Sequence, residues 1–119
     1  MTAYAIAHLR SVRPGPDIVR YLERIDATLE PFGGRFVVHG SAIDVREGEW
    51  PGDVIVIEFP DRVSATGWYQ SAEYQEILPL RTDNAEGSAI LVDGVTPDHR
   101  ATDVLDPAVP VRAERAAGA

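Results

Sequence analysis

From Val54 the chain reads Val-Ile-Val-Ile, followed by Glu58 and Phe59. Successive side chains of a strand point to opposite faces, so a run that is apolar at every position has to be covered on both sides. Asp53 to Phe59 is therefore expected to be a central strand. Ala3 to Leu9, apolar at every position except His8, asks for the same treatment. At 119 residues the chain can build one core but not two, so a single domain has to find two covers for one sheet.

The helical pattern supplies only one of them. Asp17 can help start a helix after Arg13-Pro14-Gly15-Pro16, and Ile18, Leu22, Ile25, Leu29 and Phe32 recur at steps of four and three, which draws one apolar stripe. Pro31 and Gly33 should end it. Arg35 to Ser41 is expected as the next strand, with Phe36 and Val38 on one face and Arg35, Val37 and His39 on the other. Ala42 to Glu47 alternates Ile43 and Val45 with Asp44 and Arg46, the pattern of an extension or a half-exposed edge strand. Gly48 to Gly52 is a turn. Asp61 is the natural N-cap of a second helix, and Ser71 a fresh cap for a short following segment, so that helix should be broken in two. Ser88 to Val95 closes the set as the last strand.

The order strand, helix, strand, strand, helix, strand is that of an α+β, ferredoxin-like βαββαβ sandwich. Its helices lie on one face of the sheet. The other face would expose more apolar surface than the few hundred Å² usual for monomers (~300–600 Å²), and a second sheet is its simplest cover. The expectation is a face-to-face homodimer, a dimeric α/β barrel. The competing cover is the C-terminal arm. Residues 1–95 form the expected domain, and residues 96–119, rich in Pro, Asp and Ala, an arm partly docked through Val104 and Leu105 or flexible.

Composition removes several function classes. A net charge of -8 opposes nucleic acid and anionic membranes, neither of which is expected as a partner. The chain has no cysteine and no lysine: all eleven basic residues are arginine. Thiolate nucleophiles, Cys-bound zinc and Schiff-base chemistry are therefore outside its means. The apolar start at Ala3 is too short for a signal peptide or a membrane span, which makes the cytoplasm the expected location. His8, His39 and His99 show no i, i+2 or i, i+4 spacing, and no metal site is expected unless His8 and His39 converge from adjacent strands.

Three stretches in combination resemble the domain-of-unknown-function 1330 family: Phe-Gly-Gly-Arg-Phe-Val-Val-His-Gly from Phe32, Glu-Gly-Glu-Trp-Pro-Gly-Asp running into Val-Ile-Val-Ile-Glu-Phe-Pro-Asp, and Trp-Tyr-Gln-Ser-Ala-Glu-Tyr-Gln with Pro-Leu-Arg. The similarity covers Ala3 to Val95. It implies the dimeric α/β-barrel superfamily, whose relatives include cofactor-free monooxygenases, muconolactone isomerase-like enzymes and haem-handling proteins, and a ligand cleft between the sheet and the helices. It implies no particular activity.

Within such a cleft His39 is the expected catalytic base, imidazole being the side chain that ordinarily titrates near neutral pH; a hydrogen-bonded histidine at a strand end is the structural alternative. Glu58 is the second catalytic candidate, with an ion pair to an arginine such as Arg81 or Arg35 as its alternative. Trp68, Tyr69 and Tyr74 offer aromatic walls, or plain core. Arg81 can hold a substrate carboxylate bidentately, and Arg35 is a further binding candidate. The functional expectation is a small-molecule binder, or an enzyme of proton-transfer, isomerase or monooxygenase type, acting on a small aromatic or carboxylated metabolite without a bound cofactor. Haem on a histidine is the minor cofactor alternative. The competing class is a non-catalytic dimeric module that regulates or scaffolds a neighbour.

Overall fold

The two apolar runs become the central pair of strands. In the computed structural model, which describes residues 1–105, β1 (Ala3–Val12) pairs antiparallel with β3 (Asp53–Phe59). The edges are β2 (Arg35–Val38) beside β3 and β4 (Ala85–Asp93) beside β1, giving the order β2-β3-β1-β4. Helices α1 (Pro16–Leu29), α2 (Arg62–Gln70) and α3 (Ala72–Thr82) cover one face. This is the ferredoxin-like α+β fold.

Register decides what each face carries. Phe36, Ile57, Ala5 and Leu91 align across all four strands on the helix side, where Ile57 is buried. One residue along, Val38, Val56, Ile6 and Ile90 align on the opposite side, beside a second row of Arg35, Glu58, Tyr4 and Val92. The core lies under the helices: Ala3, Ile57 and Phe59 from the sheet meet Tyr21, Ile25 and Leu29 of α1, Ala65 and Trp68 of α2, and Tyr74 and Ile77 of α3.

Helix ends follow the caps. Asp61 accepts from Ser64 N at 2.7 Å to start α2, and Ser71 accepts from Tyr74 N at 3.2 Å to start α3. The break between them is the one expected at Ser71. Helix α1 starts earlier than expected, with Pro16 in its first turn and Asp17 next to it, and a 3-10 turn over Glu30–Phe32 follows before left-handed Gly33 ends it. Its buried set is Tyr21, Ile25, Thr28 and Leu29, while Leu22 of the expected stripe is 46% exposed. The stripe is rotated because Tyr21 and Thr28 find polar partners inside, described below.

Four expected strand limits need correction. The first strand runs on to Val12 through an irregularity between Leu9 and Ser11. There Gly52 and Gly87 press against it from either side: a Cβ would meet Leu9 O at 1.8 Å and His8 O at 2.2 Å respectively. The glycine at 87 lets β4 begin at Ala85 rather than Ser88, and the strand ends at Asp93. β2 stops at Val38 after a bulge at Val37, and Val38 thereby turns to the face opposite Phe36. Ala42 to Glu47 forms no strand; past Gly40 (φ 67) the chain leaves the sheet and is exposed throughout, so the alternation of Ile43 and Val45 with charges belongs to a loop. The loop returns at Trp50, which stacks on His8 at 4.1 Å while the His8 imidazole bonds Pro51 O at 2.8 Å.

Of the C-terminal segment, Ala101–Leu105 makes a 3-10 turn in which Val104 is 38% and Leu105 70% exposed. The rest of the expected arm, residues 106–119, lies outside the described residues. Among the described residues no helix is long and apolar enough to cross a membrane.

Candidate functional site

A cavity of about 510 Å³ separates the helix face of the sheet from α1 and α3. That volume falls inside the range of small-molecule sites, about 300–1,000 Å³. Its floor is alternate residues of the central strands, Ala5, Ala7 and Leu9 with Ile55 and Ile57, flanked by Leu91. The two alanines create the space: a larger residue at either position would fill it. Ile18, Tyr21, Leu22 and Ile25 of α1 form the roof, Trp68, Tyr69, Tyr74 and Arg81 the inner wall, and exposed His39, Gly40 and Asp53 stand at the rim.

The inner wall is held by a chain of bonds. Trp68 Nε1 donates to Thr28 Oγ1 at 2.9 Å, and that hydroxyl donates to Ile25 O at 2.6 Å. The Trp68 ring packs on Tyr74 at 4.0 Å and on Phe59 at 5.4 Å. Tyr69, half-buried, lies 5.6 Å from Tyr74. Rotamers locked in this way give the cavity a fixed shape before any ligand arrives.

At the base of that wall the Tyr21 and Tyr74 hydroxyls share a 2.7 Å hydrogen bond, and the Arg81 guanidinium lies 5.8 Å from the Tyr21 ring centroid. This is a cation over an aromatic face. Burial, and next the neighbouring Tyr74, push the Tyr21 phenol well above its ordinary range, with Arg81 acting in the opposite direction. Tyr21 thus stays neutral at physiological pH, and either phenol can donate in the bond between them. For Arg81 burial works against the charge, but Tyr74 and Tyr21 outweigh it and the guanidinium stays protonated.

The sequence candidates therefore separate into two groups. His39, Trp68, Tyr69, Tyr74 and Arg81 line the cavity. Arg35 and Glu58 do not: they pair across β2 and β3 on the opposite face, Arg35 Nη2 and Nε reaching Glu58 Oε1 at 2.9 and 3.2 Å. Glu58 thus has the ion-pair role given as its alternative, and the sheet stands between it and His39. The expected pairing of Arg35 with His39 on one face fails for the same reason as the strand limit, the Val37 bulge. His39 sits just past the end of β2, its ring stacked on Phe36 at 4.3 Å and tilted by 20°. His8 lies under Trp50 on the other side of the sheet, so the two histidines do not converge, and the described residues contain no group of three or more His, Asp or Glu able to hold a metal.

Tyr21 is the site residue that the sequence reading missed. Its signal was present, three residues after Ile18 and four before Ile25, but a tyrosine among charged neighbours reads as the edge of a helix stripe. What buries it is Tyr74, 53 positions away.

Comparison with known proteins agrees with this fold. The model of a domain of unknown function, DUF1330, matches residues 2–95. No curated protein matches. Among solved structures, the protein RPA0582 from Rhodopseudomonas palustris, of unknown function, superposes with a TM-score of 0.55 at 18% identity, over 81% of this chain and 84% of that one. A dimeric ferredoxin-like protein of unknown function from Jannaschia sp. CCS1 gives 0.52 at 13% identity, over 81% and 100%. SnoaB, a cofactor-independent oxygenase from Streptomyces nogalater, gives 0.50 at 10% identity, over 83% and 96%. At these identities the likeness is one of fold.

Proposed function

The chain belongs to the DUF1330 family of domains of unknown function, and we propose that it binds a small, largely apolar metabolite in the cleft between sheet and helices, as a cytoplasmic homodimer. The observation that carries this is the cavity of about 510 Å³. It is kept open by Ala5 and Ala7 where larger side chains would have given a closed core. Cavities of that size cost stability, about 24 cal/mol per Å³ in core truncations, and one lined by locked aromatics and a charge has the composition of a binding site.

The homodimer is supported by the other face. Val38, Val56, Ile6 and Ile90 form an apolar row across the whole sheet, and Ile90 and Val92 are 55% and 38% exposed. Flat apolar sheet faces of this kind are stable when packed on another sheet. The Arg35–Glu58 pair would sit in the polar rim of that interface. In the cleft, His39 is the imidazole we assign to proton transfer, because His8 faces the other way and His99 lies 3.6 Å from Asp103 Oδ2 outside the cleft. The reading is cofactor-free, as the lining offers apolar walls and hydrogen-bond donors rather than a set of metal ligands.

Thermal stability of the protein and of Ala7→Phe, each against a panel of small metabolites, tests the reading. A ligand-induced rise in the unmodified protein that Ala7→Phe abolishes is expected. A panel without effect on either would favour the non-catalytic regulatory or scaffolding module.

A further inference from the structure

The cleft's one buried polar corner has a specific imbalance. Tyr21 and Tyr74 bring two hydroxyls and Arg81 a guanidinium, whose N–H groups can only donate. One hydroxyl hydrogen is used in the 2.7 Å bond between the phenols. The acceptors at hand are the phenol oxygens, which are uncharged, so the corner holds a spare phenol hydrogen and a cationic fork with no anion against them. Four of the other arginines pair with carboxylates, Arg24 with Glu76, Arg35 with Glu58, Arg46 with Asp44 and Arg62 with Asp93, while Arg10 and Arg13 bond Ser88 Oγ and the Asp83 carbonyl instead. Among the described residues no carboxylate reaches Arg81, although acidic residues outnumber basic ones by nineteen to eleven. Among the described residues, the partly buried arginine beside the cavity of about 510 Å³ thus faces two phenols and no carboxylate.

Resting on the binding role proposed above, we infer that the ligand is an amphipathic monocarboxylate. Its carboxylate meets Arg81 and the free phenol hydrogen of the Tyr21–Tyr74 pair, and its apolar body lies over Ala5 and Ala7. A planar fork of N–H groups fits a carboxylate at two points, and bonds of this kind to a charged acceptor are about twice as strong as neutral ones. A single guanidinium in a chain of net charge -8 matches one negative charge and not two. Asp53 at the rim disfavours a second carboxylate at the outer end of the ligand. The apolar floor excludes a sugar or a zwitterion, each of which would lose hydration without gaining partners.

The test uses the full chain and matched ligands: the carboxylic acid, the primary alcohol and the primary amine of two apolar bodies, naphthyl and n-decyl, titrated by calorimetry at neutral pH. The acids are expected to bind about tenfold to a hundredfold more tightly than the alcohols, and the amines not to bind. Arg81→Gln should abolish that preference while leaving alcohol affinity in place, and Tyr21→Phe should lower acid affinity severalfold without moving the alcohol. Arg81→Lys, which keeps the charge and loses the fork, should retain part of the preference and serves where Arg81→Gln does not fold. Acids and alcohols binding alike, or a preference that survives Arg81→Gln, would overturn the carboxylate assignment and leave the cleft a binding site. Failure of all six compounds to bind would overturn both readings.

Discussion

Replacing Ile90 by aspartate separates a dimer from a monomer with an apolar face. Ile90 stands on edge strand β4 at the end of the row Val38, Val56, Ile6, Ile90, and is 55% exposed in the single chain. Burying a whole isoleucine side chain is worth about 1.5–3 kcal/mol, so the remaining half offers a partner about 1–1.5 kcal/mol. A twofold interface uses each residue twice, which makes the lost contribution about 2–3 kcal/mol per dimer. Two aspartates placed in an apolar interface add a desolvation penalty of at least ~1 kcal/mol. The sum, about 3 kcal/mol or more, weakens association by about a hundredfold, at 1.4 kcal/mol per factor of ten. Sedimentation velocity over a concentration series reads it directly: the unmodified chain should be a dimer at micromolar concentration and Ile90→Asp largely a monomer. Val63→Asp, on the outer side of α2 and 82% exposed, is the control and should leave assembly unchanged. If Ile90→Asp sediments like the unmodified chain and its stability moves by less than about 0.5 kcal/mol, the value for an ordinary surface site, then nothing covers that row and the dimer argument fails. A monomeric unmodified chain would refute it outright.

Three further outcomes test the framework around the cleft. Trp68→Phe removes the donor to Thr28 and leaves a void beside Tyr74, so unfolding in denaturant should show a loss of about 1–3 kcal/mol together with weaker ligand binding. Gly52→Ala forces an alanine to φ 82 with its Cβ 1.8 Å from Leu9 O; the predicted loss is about 2 kcal/mol or more, seen as a lower Tm or as insoluble protein. Asp61 is held below its ordinary carboxylate range first by its hydrogen bond from the Ser64 backbone N–H. Its folded pKa is depressed, so its contribution to stability is present above the unfolded carboxylate range and lost as pH falls through the folded value. A Tm series in acid should show this loss in the unmodified chain and a shallower one in Asp61→Asn, which can cap without titrating; identical acid slopes would remove the cap from the account.

Elements, their order and their caps were legible because they depend on neighbours in sequence. Four apolar residues from Val54, a helical stripe from Ile18 to Phe32, and the caps Asp61 and Ser71 are all local patterns, and each element they mark is present. The uncovered sheet face was legible too, as a count of apolar strands against helices. Of the site, the chemistry of Arg81, Tyr74 and His39 could be nominated, but not where each would point.

That remainder was decided only when distant segments met. A one-residue bulge at Val37 reverses the sense of period-two alternation beyond it, and with it the sides taken by Val38 and His39; nothing in the local pattern marks it. Glu58 takes the face of its partner Arg35 because antiparallel register aligns them. Tyr21 is drawn into the core by a hydroxyl on α3, and that no carboxylate among the described residues meets Arg81 beside it is recognisable only once the chain is folded. Local sequence determines the periodicity of a segment, and so the kind of element it forms. Which face is inside, and which charge is left without a counter-charge, depends on contacts between residues tens of positions apart.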